Sequence, residues 1–370
     1  MPALHDSRVL VAAGGTGGHL TPALAVADEL AARGADITFV TTPSQAGRVG
    51  ERYRSYALEM RGFERHLLAR SNAVTLRRLA AAAPRSWGIV SAVRPHVAVG
   101  GGGYLSGPVV AVAALRGVPA LAIESDAHLG ITNRLLAHLV ERVCLSFPVA
   151  GREPPRFVVT GRPLSAAQLD ADADAGRAAF GFTAALPVVL VFGGSQGAQS
   201  LNQACLDAFG TGPLDLQVLH VCGPRHLDQM TAALAARGAD VEHYRLLPYT
   251  EDLAHAMAAA DLVVGRAGGS VAEIAALGRP AVLVPFPFAT ADHQSKNAAW
   301  MAAAGGAVVI ADADLDGRRL GGLVRELLAD KARLARMAQA SHEAGRPDAT
   351  RRVADEVAAL LGTARTDGPA

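Results

Sequence analysis

Val9-Leu10-Val11-Ala12-Ala13-Gly14-Gly15-Thr16-Gly17-Gly18-His19 is an apolar run that turns through glycines into the alanine-rich stretch Thr21 to Arg33. The order predicts a strand, a phosphate-sized loop and a helix. Such a turn aims unpaired backbone N–H groups and the positive end of a helix dipole at one spot, where a diphosphate fits. Val188-Val189-Leu190-Val191-Phe192, then Gly193-Gly194-Ser195-Gln196-Gly197 and a helical stretch from Gln199, repeat the arrangement about half a chain later. Any α/β protein needs glycines where strands become helices. Two such turns, one of them carrying a histidine, predict two nucleotide-fold halves facing one cleft.

The rest of the chain agrees with an α/β class. Short β-rich runs alternate with alanine-rich helical segments, as in βαβ units with parallel sheets. Strands are expected near Val9 to Ala13, Ile37 to Thr41, Val97 to Gly100, Ala120 to Glu124, Arg142 to Phe147 and Phe157 to Thr160. A second set is expected near Val188 to Phe192, Gln217 to Val221, Glu242 to Leu246, Leu262 to Val264, Ala281 to Val284 and Ala307 to Ile310. A length of 370 residues favours two domains. Residues 1–163 form the first, joined by a terminal helix at 345–362; residues 164–344 form the second, and 363–370 read as a short disordered tail.

Composition excludes several classes. A net charge of +1 gives no reason to expect nucleic acid, and of the 35 basic residues only Lys296 and Lys331 are lysine. Cys144, Cys205 and Cys222 are odd in number and embedded in apolar runs, which predicts reduced, buried thiols with no metal-ligand spacing. No signal peptide is recognisable at the N-terminus, and the most hydrophobic region, Gly107 to Ile123, is interrupted by Arg116, Gly117 and Pro119. No G-x-G-x-x-G occurs and no acidic residue ends the second strand near Thr41, against dinucleotide binding; neither lysine sits in a phosphate-loop pattern. Gly193 to Gly197 does satisfy G-x-S-x-G, so a serine hydrolase with Ser195 as nucleophile, Asp261 or Asp292 as acid and His293 as base is one reading.

A third loop, Gly265-Arg266-Ala267-Gly268-Gly269-Ser270, again follows a strand and leads into a helix carrying Glu273. Ser270 is expected to cap that helix. Three residues on, Glu273 either completes a capping box or bonds vicinal ribose hydroxyls. Pro285-Phe286-Pro287 and Asp292-His293-Gln294-Ser295-Lys296-Asn297 put a dense polar group just after another strand, where ligands bind in open parallel sheets.

Taken together these motifs resemble the GT-B glycosyltransferases, and among them the family 28 enzymes that transfer N-acetylglucosamine in bacterial peptidoglycan synthesis. GGTGGH at Gly14 to His19, VGGGGYLSGP at Val99 to Pro108, LGITNR at Leu129 to Arg134, GGSQGAQSLN at Gly193 to Asn202, AEIAALGRPAVLVP at Ala272 to Pro285 and DHQSKNA at Asp292 to Ala298 carry the resemblance along nearly the whole chain. The resemblance implies two Rossmann-like domains, the acceptor on the first and the donor on the second, with a terminal helix, Asp348 to Leu361, crossing back to the first. Carried over, Thr16, Gly17 and Gly18 line the cleft, Ser195 and Gln196 approach the nucleotide, and the backbone at Thr250 faces uracil. Gly268, Gly269, Ser270, Val271 and Ala272 cradle the diphosphate, Glu273 holds ribose and Gln294 holds the sugar. Three departures stand out: Asp126 replaces a usual asparagine, Ser165 replaces a usual arginine for which Arg162 is the candidate substitute, and the loop 266–273 is one residue short. They leave a related transferase with another acceptor as a second reading.

The implied chemistry is an inverting displacement at the anomeric carbon, from UDP-N-acetylglucosamine to an undecaprenyl-diphosphate-linked acceptor. A base must take the acceptor's proton and fixed dipoles must stabilise the leaving diphosphate. His19 is the favoured base, with Glu124 and Asp126 as rivals. No cofactor or metal is expected. A lipid-borne acceptor implies a peripheral site on the cytoplasmic face of the cell membrane. Arg61, Arg65, Arg70, Arg77, Arg78, Arg85 and Arg94, with Leu67, Leu68, Leu76, Leu79 and Trp87, form the candidate contact with an anionic inner-membrane surface.

Overall fold

A computed structural model describes residues 4–14, 17–60 and 70–366, with the side chains of 70–81 and 363–366 outside that description. The chain divides into two compact units, Met1–Ser165 together with Asp348–Ala370, and Ala166–Pro347.

Among the described residues the first unit carries seven strands: β1 (Arg8–Ala12), β2 (Asp36–Thr41), β3 (Arg54–Ala57), β4 (Val97–Gly100), β5 (Ala120–Glu124), β6 (Arg142–Leu145) and β7 (Phe157–Val159). They pair in the order β3-β2-β1-β4-β5-β6-β7, every pair parallel. β1, β4 and β5 are almost wholly buried because helices cover both faces, which is why they read as continuous Val, Leu, Ile and Ala runs. β3 was not expected. Its sequence Arg-Ser-Tyr-Ala is half exposed at the sheet edge and has no apolar run to betray it.

One face of this sheet is covered by the helices Arg70–Val93, Gly103–Leu115 and Ile131–Leu136, through Val90, Val109, Val110, Leu136 and neighbours. The other is covered by Gly17–Ala32 and by the terminal helix Ala349–Thr366, whose Val353, Ala354, Val357, Leu360 and Leu361 join Leu20, Ala23 and Leu24 in one core. Each large aliphatic side chain buried there contributes about 1.5–3 kcal/mol. Arg33 to Asp355 (2.6 Å) and Arg142 to Glu356 (3.3 Å) add ion pairs, and Thr350 bonds both the N–H and the carbonyl of Leu164. The helix extends to Thr366, so the segment read as a tail from residue 363 begins in helical conformation.

The second unit carries six strands: β8 (Val188–Phe192), β9 (Gln217–Val221), β10 (Tyr244–Leu247), β11 (Leu262–Gly265), β12 (Ala281–Leu283) and β13 (Ala307–Val309). Their order is β10-β9-β8-β11-β12-β13, again all parallel. In each sheet the strand order reverses beside its first strand, between β1 and β4 and between β8 and β11. Loops after these strands meet at the carboxyl ends, where open parallel sheets bind ligands. Both glycine loops read from the sequence occupy these positions. The three cysteines are buried free thiols.

Candidate active site

In the first unit the candidate residues gather around His19, on the first turn of the helix that follows β1. Thr16 lies outside the described residues, and Gly17 and Gly18 open the helix. The half-buried His19 ring fills the space left by the glycines after β4. A Cβ at Gly102 would stand 2.7 Å from His19 Cδ2, one at Gly103 would stand 2.9 Å from the Gly14 carbonyl, and one at Gly101 would stand 2.7 Å from Ala23 Cβ. Gly102 and Gly103 also have φ of 92° and 76°, a region that side chains rarely adopt. The glycines after β4 make a slot for the imidazole.

Burial lowers the pKa of His19 below its ordinary value, with Asp126 opposing that shift and Arg162 adding to it. The imidazole is therefore neutral at pH 7 and able to accept a proton. Arg162 is itself buried after β7. Its Nη2 donates to the Gly18 carbonyl at 2.8 Å and Nη1 reaches the Ser125 carbonyl at 3.5 Å, so one guanidinium ties the start of the helix Gly17–Ala32 and the loop after β5 to the segment after β7. Ser165 is half-buried at the end of the same segment and also belongs to the first unit.

Glu124 ends β5 and is buried. Its carboxylate accepts from the Asp126 N–H (3.2 Å), the Gly130 N–H (2.8 Å) and Asn133 Nδ2 (3.0 Å), which folds the loop 125–133 around it. Burial raises its pKa while the bonds from Gly130 and Asn133 oppose the shift. With its oxygens committed to its own loop, Glu124 holds Asp126 and Asn133 in place. Asp126 is half-buried and acts on His19 electrostatically.

In the second unit the residues carried over for the donor all follow carboxyl ends of strands. Ser195 and Gln196 are exposed at the tip of a turn after β8, closed by the Gly197 N–H to the Gly194 carbonyl at 2.9 Å. A Cβ on Gly197 would overlap the Cys222 carbonyl oxygen, so the loop is pressed onto the end of β9. Below it, Asn202 Nδ2 donates to that carbonyl at 2.8 Å, while Asn202 Oδ1 meets His220 Nε2 at 3.0 Å and His220 Nδ1 meets the Tyr244 hydroxyl at 2.7 Å. Burial pushes the His220 pKa down to about 3, leaving a neutral relay under the loop.

Thr250 follows β10 and accepts from the Asp252 N–H at 3.0 Å. After β11, Gly269 occupies the cap position and Ser270 is the first residue inside the helix Ser270–Ala276, so the expected Ser270 cap is not formed. The reason is local: Gly269 already has helical dihedrals, which moves the helix start one residue forward. The N–H groups of Val271 and Ala272 turn back to the carbonyls of Gly268 and Gly269, at 3.1 Å each. Glu273 is half-buried in the first turn. Gln294 accepts from the Phe286 N–H at 2.9 Å, and buried Asn297 donates to the Ala267 carbonyl at 3.1 Å, fastening the polar segment after β12 to its neighbours. Ala291 and Asp292 there have φ of 52° and 53°, which costs on the order of 1–2 kcal/mol each.

Arg266, within the third glycine loop, is a hub of this unit. Buried beside β11, its Nη1 donates to Asp312 Oδ1 (2.6 Å) and to the carbonyls of Val284 (3.1 Å) and Pro285 (3.2 Å). Its Nη2 reaches Ser200 Oγ at 2.8 Å, and Ser200 in turn donates to Asp312 Oδ1 at 2.7 Å. Loops after β8, β11, β12 and β13 are thereby locked to one guanidinium.

The hydrolase geometry is absent. Asp261 sits at the amino end of β11, where its N–H bonds the Val188 carbonyl at 2.8 Å and its Oδ2 takes Arg177 at 2.8 Å. Ser195 lies beyond the other end of the five-residue β8, about 16 Å along the strand. Asp292 Oδ1 accepts from Ser295 Oγ at 2.6 Å and His293 Nδ1 contacts the Thr290 carbonyl at 2.8 Å, so these two do not form an acid–base pair with Ser195. The left-handed conformation falls on Gly194, not on Ser195. Among the described residues no three His, Cys, Asp or Glu side chains gather as a metal site, and no helix is long and apolar enough to cross a membrane.

Two parallel-sheet α/β units with ligand loops at their switch points are the architecture of the GT-B glycosyltransferases. Residues 9–145 match the glycosyltransferase family 28 N-terminal domain and residues 188–353 the family 28 C-terminal domain. The chain belongs to glycosyltransferase family 28. It is 41% identical over 373 residues, covering 97% of this chain and 98% of the relative, to the UDP-N-acetylglucosamine--N-acetylmuramyl-(pentapeptide) pyrophosphoryl-undecaprenol N-acetylglucosamine transferase of Salinibacter ruber. The protein of the same name from Moorella thermoacetica is 40% identical over 356 residues, 92% of this chain and 96% of its own. Among solved structures, Acinetobacter baumannii MurG superposes with a TM-score of 0.77 at 29% identity, covering 95% of this chain and 99% of that one. A kitacinnamycin glycotransferase, at TM-score 0.75 and 21% identity over 98% of this chain and 100% of its own, shares the fold.

Proposed function

We propose that this protein transfers N-acetylglucosamine from UDP-N-acetylglucosamine to the N-acetylmuramyl-pentapeptide carried on undecaprenyl diphosphate, converting lipid I to lipid II. Identity of 41% along nearly the full length of a relative with that named activity carries the reading. The second unit holds the donor: Ser195, Gln196 and the Thr250 backbone take the nucleotide, Glu273 the ribose hydroxyls and Gln294 the sugar. Because the Val271 and Ala272 N–H groups are engaged within the helix, the diphosphate falls to Gly268, Gly269 and Ser270.

The first unit, with its terminal helix, takes the acceptor. Neutral His19 accepts the proton as the acceptor hydroxyl attacks the anomeric carbon, and UDP leaves from the opposite face. Fixed N–H dipoles stabilise the charge developing on the diphosphate, so the chemistry needs no cofactor. Arg162 acts on this reaction by fixing the Gly18 carbonyl and the loop at Ser125; Glu124 acts by shaping the loop that carries Asp126.

A lipid-linked substrate places the protein at the cytoplasmic face of an anionic membrane. Trp87 is 55% and Leu115 72% exposed on one helical layer of the first unit. Arg116 stacks 4.6 Å over the Trp87 ring and exposed Arg85 lies on the same helix. This is an apolar and basic surface of the kind that anionic lipid attracts. Of the sequence-derived patch, Arg61, Arg65, Leu67 and Leu68 lie outside the described residues, as do the side chains of Arg70, Leu76, Arg77, Arg78 and Leu79. Incubation with radiolabelled UDP-N-acetylglucosamine and lipid I tests the function: label in the lipid product is the expected result, and label only in free sugar contradicts it.

A further inference from the structure

Beneath the loop 193–197, four buried polar side chains form a chain of hydrogen bonds. Asn202 and Cys205 lie on the helix Gln199–Phe209, His220 on β9 and Tyr244 on β10, and none is more than 6% exposed. The direction of the chain is set from one end. The Cys222 carbonyl only accepts, so the Asn202 atom 2.8 Å from it is Nδ2, and Oδ1 faces the His220 ring. That oxygen only accepts as well, so His220 Nε2, 3.0 Å away, carries the proton. Burial keeps the imidazole neutral, which leaves Nδ1 with a lone pair that takes the Tyr244 hydroxyl proton at 2.7 Å. The Tyr244 oxygen in turn accepts from the Cys205 thiol at 3.3 Å. Every donor points the same way, toward the Cys222 carbonyl, and bonds aligned in this manner polarise one another.

What rests on that carbonyl is the loop after β8. Cys222 follows the last residue of β9 and precedes Gly223, whose φ is 93°. A Cβ on Gly197 would overlap the Cys222 oxygen, and one on Gly223 would stand 2.6 Å from the Gln196 carbonyl oxygen. The two glycine segments therefore meet backbone to backbone, and a rotation of the Cys222–Gly223 peptide displaces Gln196 and Ser195 with it. Strand pairing and the apolar contacts of Leu201, Leu206 and Phe209 already hold the helix to the sheet. Buried hydrogen bonds add little net stability to such packing, whereas an apolar side chain at position 220 could not aim the Asn202 amide. We propose that His220, as its Nε2–H tautomer, is a positioning residue for the sugar nucleotide, orienting the Asn202 amide and through it the Cys222 carbonyl on which the loop 193–197 is seated. The inference rests on the reading that this loop takes the nucleotide, and adds to it the buried group that sets where the loop stands.

The test compares His220→Leu, which deletes both ring bonds, with His220→Gln, whose carboxamide offers one donor and one acceptor to the same neighbours. In the full-length enzyme His220→Leu is expected to raise KM for UDP-N-acetylglucosamine about tenfold and to weaken UDP binding in calorimetry to the same degree. KM for lipid I and kcat should change far less, and His220→Gln should recover most of the donor KM. A group that only stabilised the fold would lower the melting temperature and the fraction of active enzyme, hence kcat, without moving the donor KM; that result overturns the inference. Tyr244→Phe removes a single oxygen at the far end of the chain and should raise the donor KM about threefold. It carries the test where His220→Leu does not fold, and an unchanged donor KM there overturns the inference. Nitrogen-15 NMR of histidine-labelled protein should show one ring, lost in His220→Gln, that is protonated at Nε2 and bare at Nδ1; the opposite tautomer reverses the chain and overturns the proposal. Ser195→Ala checks the loop itself. Unchanged UDP affinity in that variant overturns the reading of the loop and the inference built on it, while weakened UDP binding in Ser195→Ala beside a wild-type donor KM in folded His220→Leu overturns the inference alone.

Discussion

The ring of His19 and the α-carbon of Gly102 are so close that a methyl group on the glycine would stand 2.7 Å from His19 Cδ2. The loop after β4 therefore fixes where the imidazole points. Gly102→Ala would add the strain of a φ of 92° to this overlap, together costing about 1–3 kcal/mol. It is expected to lower kcat by tenfold or more with unchanged UDP affinity. A Gly102→Ala variant with full kcat and an unaltered melting temperature would contradict the slot.

The pH dependence follows from the same residue. Burial holds His19 below its ordinary value of 6.5, Asp126 raises it and Arg162 lowers it. With neutral His19 acting as the proposed base, the acid limb of kcat/KM is expected below pH 6.5. Since the folded-state value is depressed for a group that buries its neutral form, the stability it contributes is present above pH 6.5 and lost as pH falls through the folded value. Asp126→Asn removes the raising charge and should shift the acid limb to lower pH; a shift upward would show that Asp126 does not face the imidazole.

Ser195 is exposed on a turn after β8 and has no acid–base partner there. Ser195→Ala is expected to weaken UDP-N-acetylglucosamine binding several-fold in calorimetry, and a fluorophosphonate probe should leave the wild type unlabelled. Stoichiometric labelling at Ser195 would restore the hydrolase reading.

Arg266 bonds four partners from buried Nη atoms, and lysine has no fork with which to replace them. Arg266→Lys should lower the melting temperature, with a loss of about 1–3 kcal/mol, and raise KM for the donor more than it lowers kcat. An unchanged melting temperature with unchanged KM would remove the hub from the account.

Much of this was legible from local sequence. Strands buried on both faces announce themselves as apolar runs, and β1 and β8 with their glycine turns fixed both switch points. β3 escaped because an edge strand buries too little to need such a run. Ser270 was misjudged as a cap because its spacing from Glu273 fits a capping box, whereas the backbone of Gly269 starts the helix. What stayed hidden depends on distant pairs: Arg266 and Asp312 are 46 residues apart, Arg162 and Gly18 144. A glycine run likewise does not name the ring it accommodates.

The most direct measurement is the steady-state kcat of His19→Ala with both UDP-N-acetylglucosamine and lipid I saturating, alongside its melting temperature and UDP affinity. A general base contributes about 10²- to 10⁴-fold, so the proposed role of His19 predicts a loss of that size in a folded variant that still binds UDP normally. A folded His19→Ala protein that makes lipid II at nearly the wild-type kcat would contradict it and transfer the proton to another residue.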